Sequence, residues 1–103
     1  MQIIELLKAA TIDVPFEARK LVTLPGLELV HMVLETGQSV PAHALPITVL
    51  FYVLSGTGTL EVDARTETVG SNTLALVPAH AQRGWTNHGS TPLRLLVVKQ
   101  MAS

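Results

Sequence analysis

Apolar and polar side chains alternate along most of this chain in short runs, and the runs are separated by glycine, proline, serine and asparagine. The clearest case is 59–63, where Leu60 and Val62 fall on one side and Glu61 and Asp63 on the other, the period of a half-buried strand. Residues 27–35 (LELVHMVLE), 47–55 (ITVLFYVLS) and 92–99 (PLRLLVVK) are richer in β-branched and large apolar residues and read as more deeply buried strands. Mixed strands are predicted at 18–24, 39–43, 66–69, 73–77 and 81–86. The punctuation agrees: Pro25-Gly26, Thr36-Gly37-Gln38, Gly56-Thr57-Gly58, Ala64-Arg65, Gly70-Ser71-Asn72 and Asn87-His88-Gly89-Ser90 mark turns, and Pro46 and Pro78 mark bends. Residues 2–10 fit a helical face as well as a packed edge strand. Eight to ten short strands with no long amphipathic helix predict an all-β sandwich or barrel.

The stretch 37–56 is central to this pattern. If the period of two holds across the Pro46 bend, Val49, Phe51 and Val53 share the inward parity of His43, and Leu50, Tyr52 and Leu54 point outward. Large apolar side chains on an outer face need a cover, and a second copy of the chain is the expected one, giving a homodimer.

Length and composition narrow the class. The chain has 103 residues, enough for one continuous core, so 1–103 reads as a single domain. Hydrophobic residues make up 48% and charged residues 15%, which places it far from the disordered regime. The formal charge is −1 and the cations are scattered, with no stripe for phosphates, so no nucleic-acid partner is expected. The absence of cysteine excludes disulfides, thiolate nucleophiles and zinc–thiolate sites. The opening MQIIELLKAA lacks a basic start and carries Glu5 within its apolar run. It matches neither a signal peptide nor a membrane span, and a cytoplasmic location with no membrane partner is expected.

Gly37, five residues, His43, and Gly56 at the far end resemble the first motif of the cupin superfamily, G-x5-H-x-H-x3,4-E-x6-G. Pro78, with Asn87 nine residues later, resembles the second, G-x5-P-x-G-x2-H-x3-N. The resemblance implies a single cupin-type jelly-roll β-barrel, with 1–16 as an N-terminal arm or edge strand, 37–56 as the first motif region and 70–87 as the second. It also implies four metal ligands, two histidines and a glutamate from the first motif and a histidine from the second. Carried over position by position, these are His43, Leu45, Val49 and Arg83. One imidazole cannot hold a first-row metal that wants at least three N, O or S ligands, and a guanidinium repels a dication. The expectation is therefore a barrel without a cofactor.

The candidate residues follow. His43 can act as an acid or base near neutral pH, or be a strand histidine satisfied by a core hydrogen bond. Arg83, placed in the pocket by the motif, can grip a carboxylate or phosphate, or pair with an internal acid such as Glu28 or Glu35. Trp85 shares its strand face and can wall the pocket or belong to the core. If the Thr36-Gly37-Gln38 turn joins an antiparallel pair, Glu35 faces Ser39 and His31 faces His43, adding a second imidazole. His80 and His88 lie in turns.

Three functions remain open at this point: metal-free binding of a small anionic organic ligand, with or without proton-transfer chemistry; a dioxygenase or isomerase whose divalent metal (iron, zinc, manganese or nickel) is held by His43, His31 and His80; and a structural or partner-binding barrel whose interior is filled.

Overall fold

Left-handed turn residues set where the chain reverses. Gly26 (φ +83°) lets β2 (Glu17–Leu24) turn into β3 (Leu27–Leu34), with Leu24 opposite Leu27. Asn72 (φ +62°) sits in the turn before β8 (Thr73–Val77), and Asp63 (φ +52°) in the turn joining β6 (Gly58–Val62) to β7 (Arg65–Val69). That hairpin turns at Asp63-Ala64, one residue earlier than the predicted Ala64-Arg65, with Val62 opposite Arg65. An aspartate tolerates the left-handed region, and the Asp63 carboxylate also accepts a bond from the Gln82 amide (3.0 Å).

The computed structural model describes residues 1–101. The remaining elements are a 3-10 turn at Leu6–Lys8, β1 (Ala10–Thr11), β4 (Ser39–Ala44), β5 (Val49–Ser55), β9 (Gln82–Thr86) and β10 (Leu93–Gln100). The ten strands form two antiparallel sheets, of order β1-β2-β3-β10-β5-β8 and β4-β9-β6-β7. The architecture is the all-β jelly roll that the pattern of strands implies, but the two sheets face one another without ladder pairing between them, and the barrel is not closed.

Alternation decides what fills the space between the sheets. Val30, Met32 and Leu34 of β3, Leu93, Leu95 and Val97 of β10, and Val49, Phe51 and Val53 of β5 are buried there, as are Leu60, Val69 and Trp85 from the opposite sheet. The inward parity expected for 49, 51 and 53 holds, and Leu50, Tyr52 and Leu54 lie half-buried on the outer side. Trp85 meets Phe51 edge to face, with centroids 5.5 Å apart, and joins the sheets at the centre of the core.

The expected pairing of the strands around Gly37 does not form. β4 pairs with β9, and β3 pairs with β2 and β10. The turn is tied to the far end of β9 instead: the Gly37 amide donates to the Asn87 carbonyl (2.8 Å) and the Asn87 amide to that of Gln38 (3.0 Å). The buried Asn87 side chain adds bonds to the Leu34 and Thr91 carbonyls (2.8 and 2.9 Å) and accepts one from the Gly89 amide (2.8 Å). Five hydrogen bonds to one side chain and its backbone thus carry the chain from one sheet to the other.

Candidate functional site

A cavity of about 220 Å³ lies between the sheets. Val30, Met32, Phe51 and Val97 form its floor from one sheet, Val40, His43, Arg83 and Trp85 its opposite wall, and Ile12, Val14 and Phe16 close one side. His43, Leu45, Val49 and Arg83, the four motif positions, all line it. Leu45 and Val49 give the lining apolar side chains and leave the space between the sheets open.

A β-bulge sets the orientation of His43. Val40 is opposite Trp85 and His43 opposite Arg83, so β4 spends one more residue than β9 across this interval, at Pro41-Ala42. In a regular strand, residues three apart such as Val40 and His43 point to opposite faces; across the bulge both line the cavity. Gly84 permits the bulge. A Cβ there would lie 2.8 Å from the Val40 carbonyl oxygen and 3.0 Å from the Ala42 nitrogen. His43 stands exposed at the lip, and its Nδ1 is 3.0 Å from the Pro41 carbonyl. A carbonyl only accepts, so Nδ1 carries the proton, and in the neutral ring Nε2 is left as the base.

Arg83 is 2% exposed. Its Nε donates to the Ala81 carbonyl (2.9 Å) and its Nη2 to that of Pro78 (3.2 Å), both in the loop after β8. Neither Glu28 nor Glu35 pairs with it among the described residues. Burial pulls its pKa below the usual arginine value, with Asp63 opposing. Its Nη1 is buried with no acceptor among the described residues, and the same is true of the Trp85 Nε1. A Cβ on Gly58 would touch Cε3 and Cζ3 of Trp85, so the benzo edge of the indole packs on that glycine and the N–H edge faces the other way.

Lys99 also lines the cavity, and sequence reasoning did not single it out. Its inward parity, shared with Val97 on β10, was the available signal. It lies 3.6 Å from Glu28, which is 3.7 Å from Lys20. The lining thus contains an arginine, a lysine and a histidine and no acid.

His31 is elsewhere. It faces the outer side of the six-stranded sheet, between Arg19 and Leu96 in register, and is 4% exposed. Arg94 Nη2 donates to its Nε2 (3.2 Å), leaving the proton on a buried Nδ1 that has no partner among the described residues. Burial first, and then Arg94, lowers its pKa, while Glu17 opposes. His80 is exposed in the turn after β8 at φ +71°, and His88 is exposed beyond β9. The alternative in which His43, His31 and His80 gather around a metal is corrected: among the described residues no group of three or more histidine, aspartate or glutamate side chains could hold a metal ion. The physical cause is the crossing at Gly37, which puts His31 and His43 in different sheets.

A family model described as a cupin domain matches residues 30–99. Among solved structures, a predicted oxalate decarboxylase from Thermotoga maritima superposes with a TM-score of 0.89 at 16% identity, covering 97% of this chain and 99% of the other. The polyketide cyclase RemF from Streptomyces resistomycificus gives 0.85 at 22% identity, over 96% of this chain and 78% of that one. KdgF from Halomonas sp. gives 0.85 at 14% identity, over 100% and 96%. Likeness at these identities concerns the fold alone. No curated protein matches the sequence.

Proposed function

The chain belongs to the cupin family, and from that premise we propose that it binds a small, largely apolar organic anion between its sheets without the help of a metal. The observation that carries this reading is the unpartnered Nη1 of Arg83, a buried cation on the wall of an otherwise apolar cavity whose lining holds no acid. A guanidinium that is already fixed at two positions by loop carbonyls offers a preorganised donor, and an acceptor oxygen placed beside it makes a charge-assisted bond. Trp85 Nε1 supplies a second donor. Lys99 at the lip adds positive potential, and His43 Nε2 is placed to exchange a proton with the bound molecule. The cavity is small beside the ~300–1,000 Å³ of drug-sized sites, which favours a single ring or a branched short chain as the apolar part.

The family's metal does not fit this donor set. Leu45 and Val49 carry no lone pair for a metal, Arg83 is a cation, and His43 alone remains as a ligand. The solved cupins of similar shape carry names from different chemistries, and the fold does not choose among them.

The test is a thermal-shift and calorimetric panel of benzoate, phenylacetate and isovalerate against the corresponding alcohols. The acids are expected to raise the melting temperature of the wild type and the alcohols to leave it unchanged, with the response lost in Arg83→Met. An equal response in Arg83→Met, or a response to none of the acids, overturns the reading. So does stoichiometric metal in untagged protein that disappears in His43→Ala.

A further inference from the structure

Resting on the reading that the cavity takes an organic anion, we propose that the protein also interconverts the keto and enol forms of a short, branched 2-oxo acid, with His43 as the base and Lys99 beside the ketone oxygen. The strand registers bring the charged and titratable groups of the lining to one end of the sandwich. Lys99 is in register with Val49, and Val49 with Val77, the last residue of β8. The loop that follows Val77 supplies the Pro78 and Ala81 carbonyls that hold Arg83. That loop is also tied to the chain just beyond β4, since the His80 amide donates to the Leu45 carbonyl (2.7 Å). His43 is itself in register with Arg83. Lys99 therefore comes from the six-stranded sheet and His43 and Arg83 from the other, across the usual gap of about 10 Å between packed sheets.

The three groups have different parts left to play. Arg83 is fixed, with Nη1 over for a carboxylate oxygen. Lys99 is paired only loosely, because Glu28 lies at 3.6 Å, beyond a good hydrogen bond, and shares its carboxylate with Lys20 at 3.7 Å. Its ammonium donors are thus available to an oxygen at the mouth. His43 has its proton on Nδ1, held by the Pro41 carbonyl, and presents Nε2 as an acceptor. A carboxylic acid bound as its anion has no acidic proton to give such a base. Taking a proton from the carbon beside the carboxylate would place a second negative charge on the same group, so the carbonyl that activates the carbon is a separate one. With all three groups at one end, that ketone lies next to the carboxylate, and the branched hydrocarbon extends toward Val30 and Phe51 in a cavity of about 220 Å³.

The step balances without a co-reactant. His43 Nε2 takes the proton from C3, the C3–H electron pair becomes the C2=C3 double bond, and the C2=O π pair moves to oxygen as an enolate beside Lys99. The imidazolium then protonates that oxygen to give the enol, or returns a proton to C3. Apolar walls strengthen the attraction between the enolate and the ammonium. Because His43 stands exposed at the lip, its proton exchanges with solvent between the two transfers.

Proton NMR of 3-methyl-2-oxobutanoate in deuterium oxide, with the full chain and a chelator present, tests this. The wild type is expected to exchange C3–H for deuterium well above the buffer rate, collapsing the methyl doublet to a singlet. Isovalerate, with the same carbon skeleton and no ketone, is expected to bind without exchange. His43→Gln, a change at an exposed position, should lower the rate at saturating acid about 10²- to 10⁴-fold while the acid still raises its melting temperature. Lys99→Met should lower the saturated rate about 10²-fold with the isovalerate thermal shift kept, which a loss of folding would not do. Absence of exchange in a wild type that still binds both acids overturns this proposal and leaves the anion-binding reading standing; absence of binding overturns both. Exchange that persists in His43→Gln, or that falls equally for Lys99→Met and its isovalerate response, also overturns it.

Discussion

Gly84→Ala is the sharpest test of how the site is built, since it adds one methyl at the place where the β4 backbone approaches β9 most closely. That methyl would lie 2.8 Å from the Val40 oxygen, 3.0 Å from the Ala42 nitrogen and 3.1 Å from the Ala42 Cα. All three are backbone atoms, so no side chain can rotate away. Overpacking of this kind costs about 1–3 kcal/mol, and a strained ladder bond beside the bulge adds about 1 kcal/mol. Against this, replacing glycine narrows the unfolded ensemble by about 0.4–1 kcal/mol. The net expectation is a loss of about 1–3.5 kcal/mol, or roughly 4–28 °C in melting temperature for a domain of this size. Urea unfolding measures it.

Two controls separate the mechanism from a general glycine effect. A Cβ at Gly70 meets nothing within 4 Å, and Gly70→Ala should be neutral or slightly stabilising. Gly37 also has open space but sits at φ +86°, so Gly37→Ala should cost about 1 kcal/mol from backbone strain alone. Because β4 is an edge strand, Gly84→Ala should relax by lifting it, and amide exchange should rise at 39–44 before it rises elsewhere. Equal stability of Gly84→Ala and Gly70→Ala would refute the close approach, and with it the account of why His43 faces Arg83.

His31 is held neutral by burial and by Arg94, so its folded pKa lies below 6.5 and the unfolded chain binds a proton that the folded one does not as pH falls under that value. Stability should therefore be full above pH 6.5 and decline below it, by at most ~1.4 kcal/mol per pH unit, and His31→Gln should flatten the profile; parallel profiles would count against this origin. Asn87→Ala strands the Leu34 and Thr91 carbonyls and the Gly89 amide, with an expected loss of about 3–4 kcal/mol in urea. Trp85→Phe removes a donor that has no protein acceptor along with some packing, so it should cost less than about 2 kcal/mol where Trp85→Ala costs about 3–5 kcal/mol. A comparable loss in both variants would show that Nε1 is satisfied in the folded protein.

Alternation along each strand made the faces legible. Val49, Phe51 and Val53 lie inside and Leu50 and Tyr52 outside, as parity requires, and the motif positions His43, Leu45, Val49 and Arg83 meet in one cavity. Strand partners were not legible. A turn at 36–38 reads locally as a hairpin, but the Asn87 backbone competes for the same amide and carbonyl from a site far along the chain, and it wins because its side chain is fully satisfied there. The bulge opposite Gly84 escaped for a related reason: one glycine within a predicted strand carries no sign of which backbone will approach it. Lys99 was passed over because a cation at a strand end reads as solvent-facing until its partner Glu28 and the cavity beside it are known.

On the proposed reading, Leu45, Val49 and Arg83 also set what the cavity can discriminate. A metal site gathers several donors around one point and accepts ligands of many shapes. Here the guanidinium is held by the 78 and 81 carbonyls, and Nη1 is left without an acceptor among the described residues, beside one indole N–H and apolar walls. An acid and the hydrocarbon of the same shape should then differ by the charge-assisted bond they do or do not make, about 1.5–3 kcal/mol, or roughly 10- to 100-fold in affinity. A polyol of equal size gains little, because its further hydroxyls would lie against Val30, Met32, Phe51 and Val97 with nothing to bond. On that reading, the expected outcome is selectivity for a single anionic group on an apolar body, set by Arg83, Leu45 and Val49.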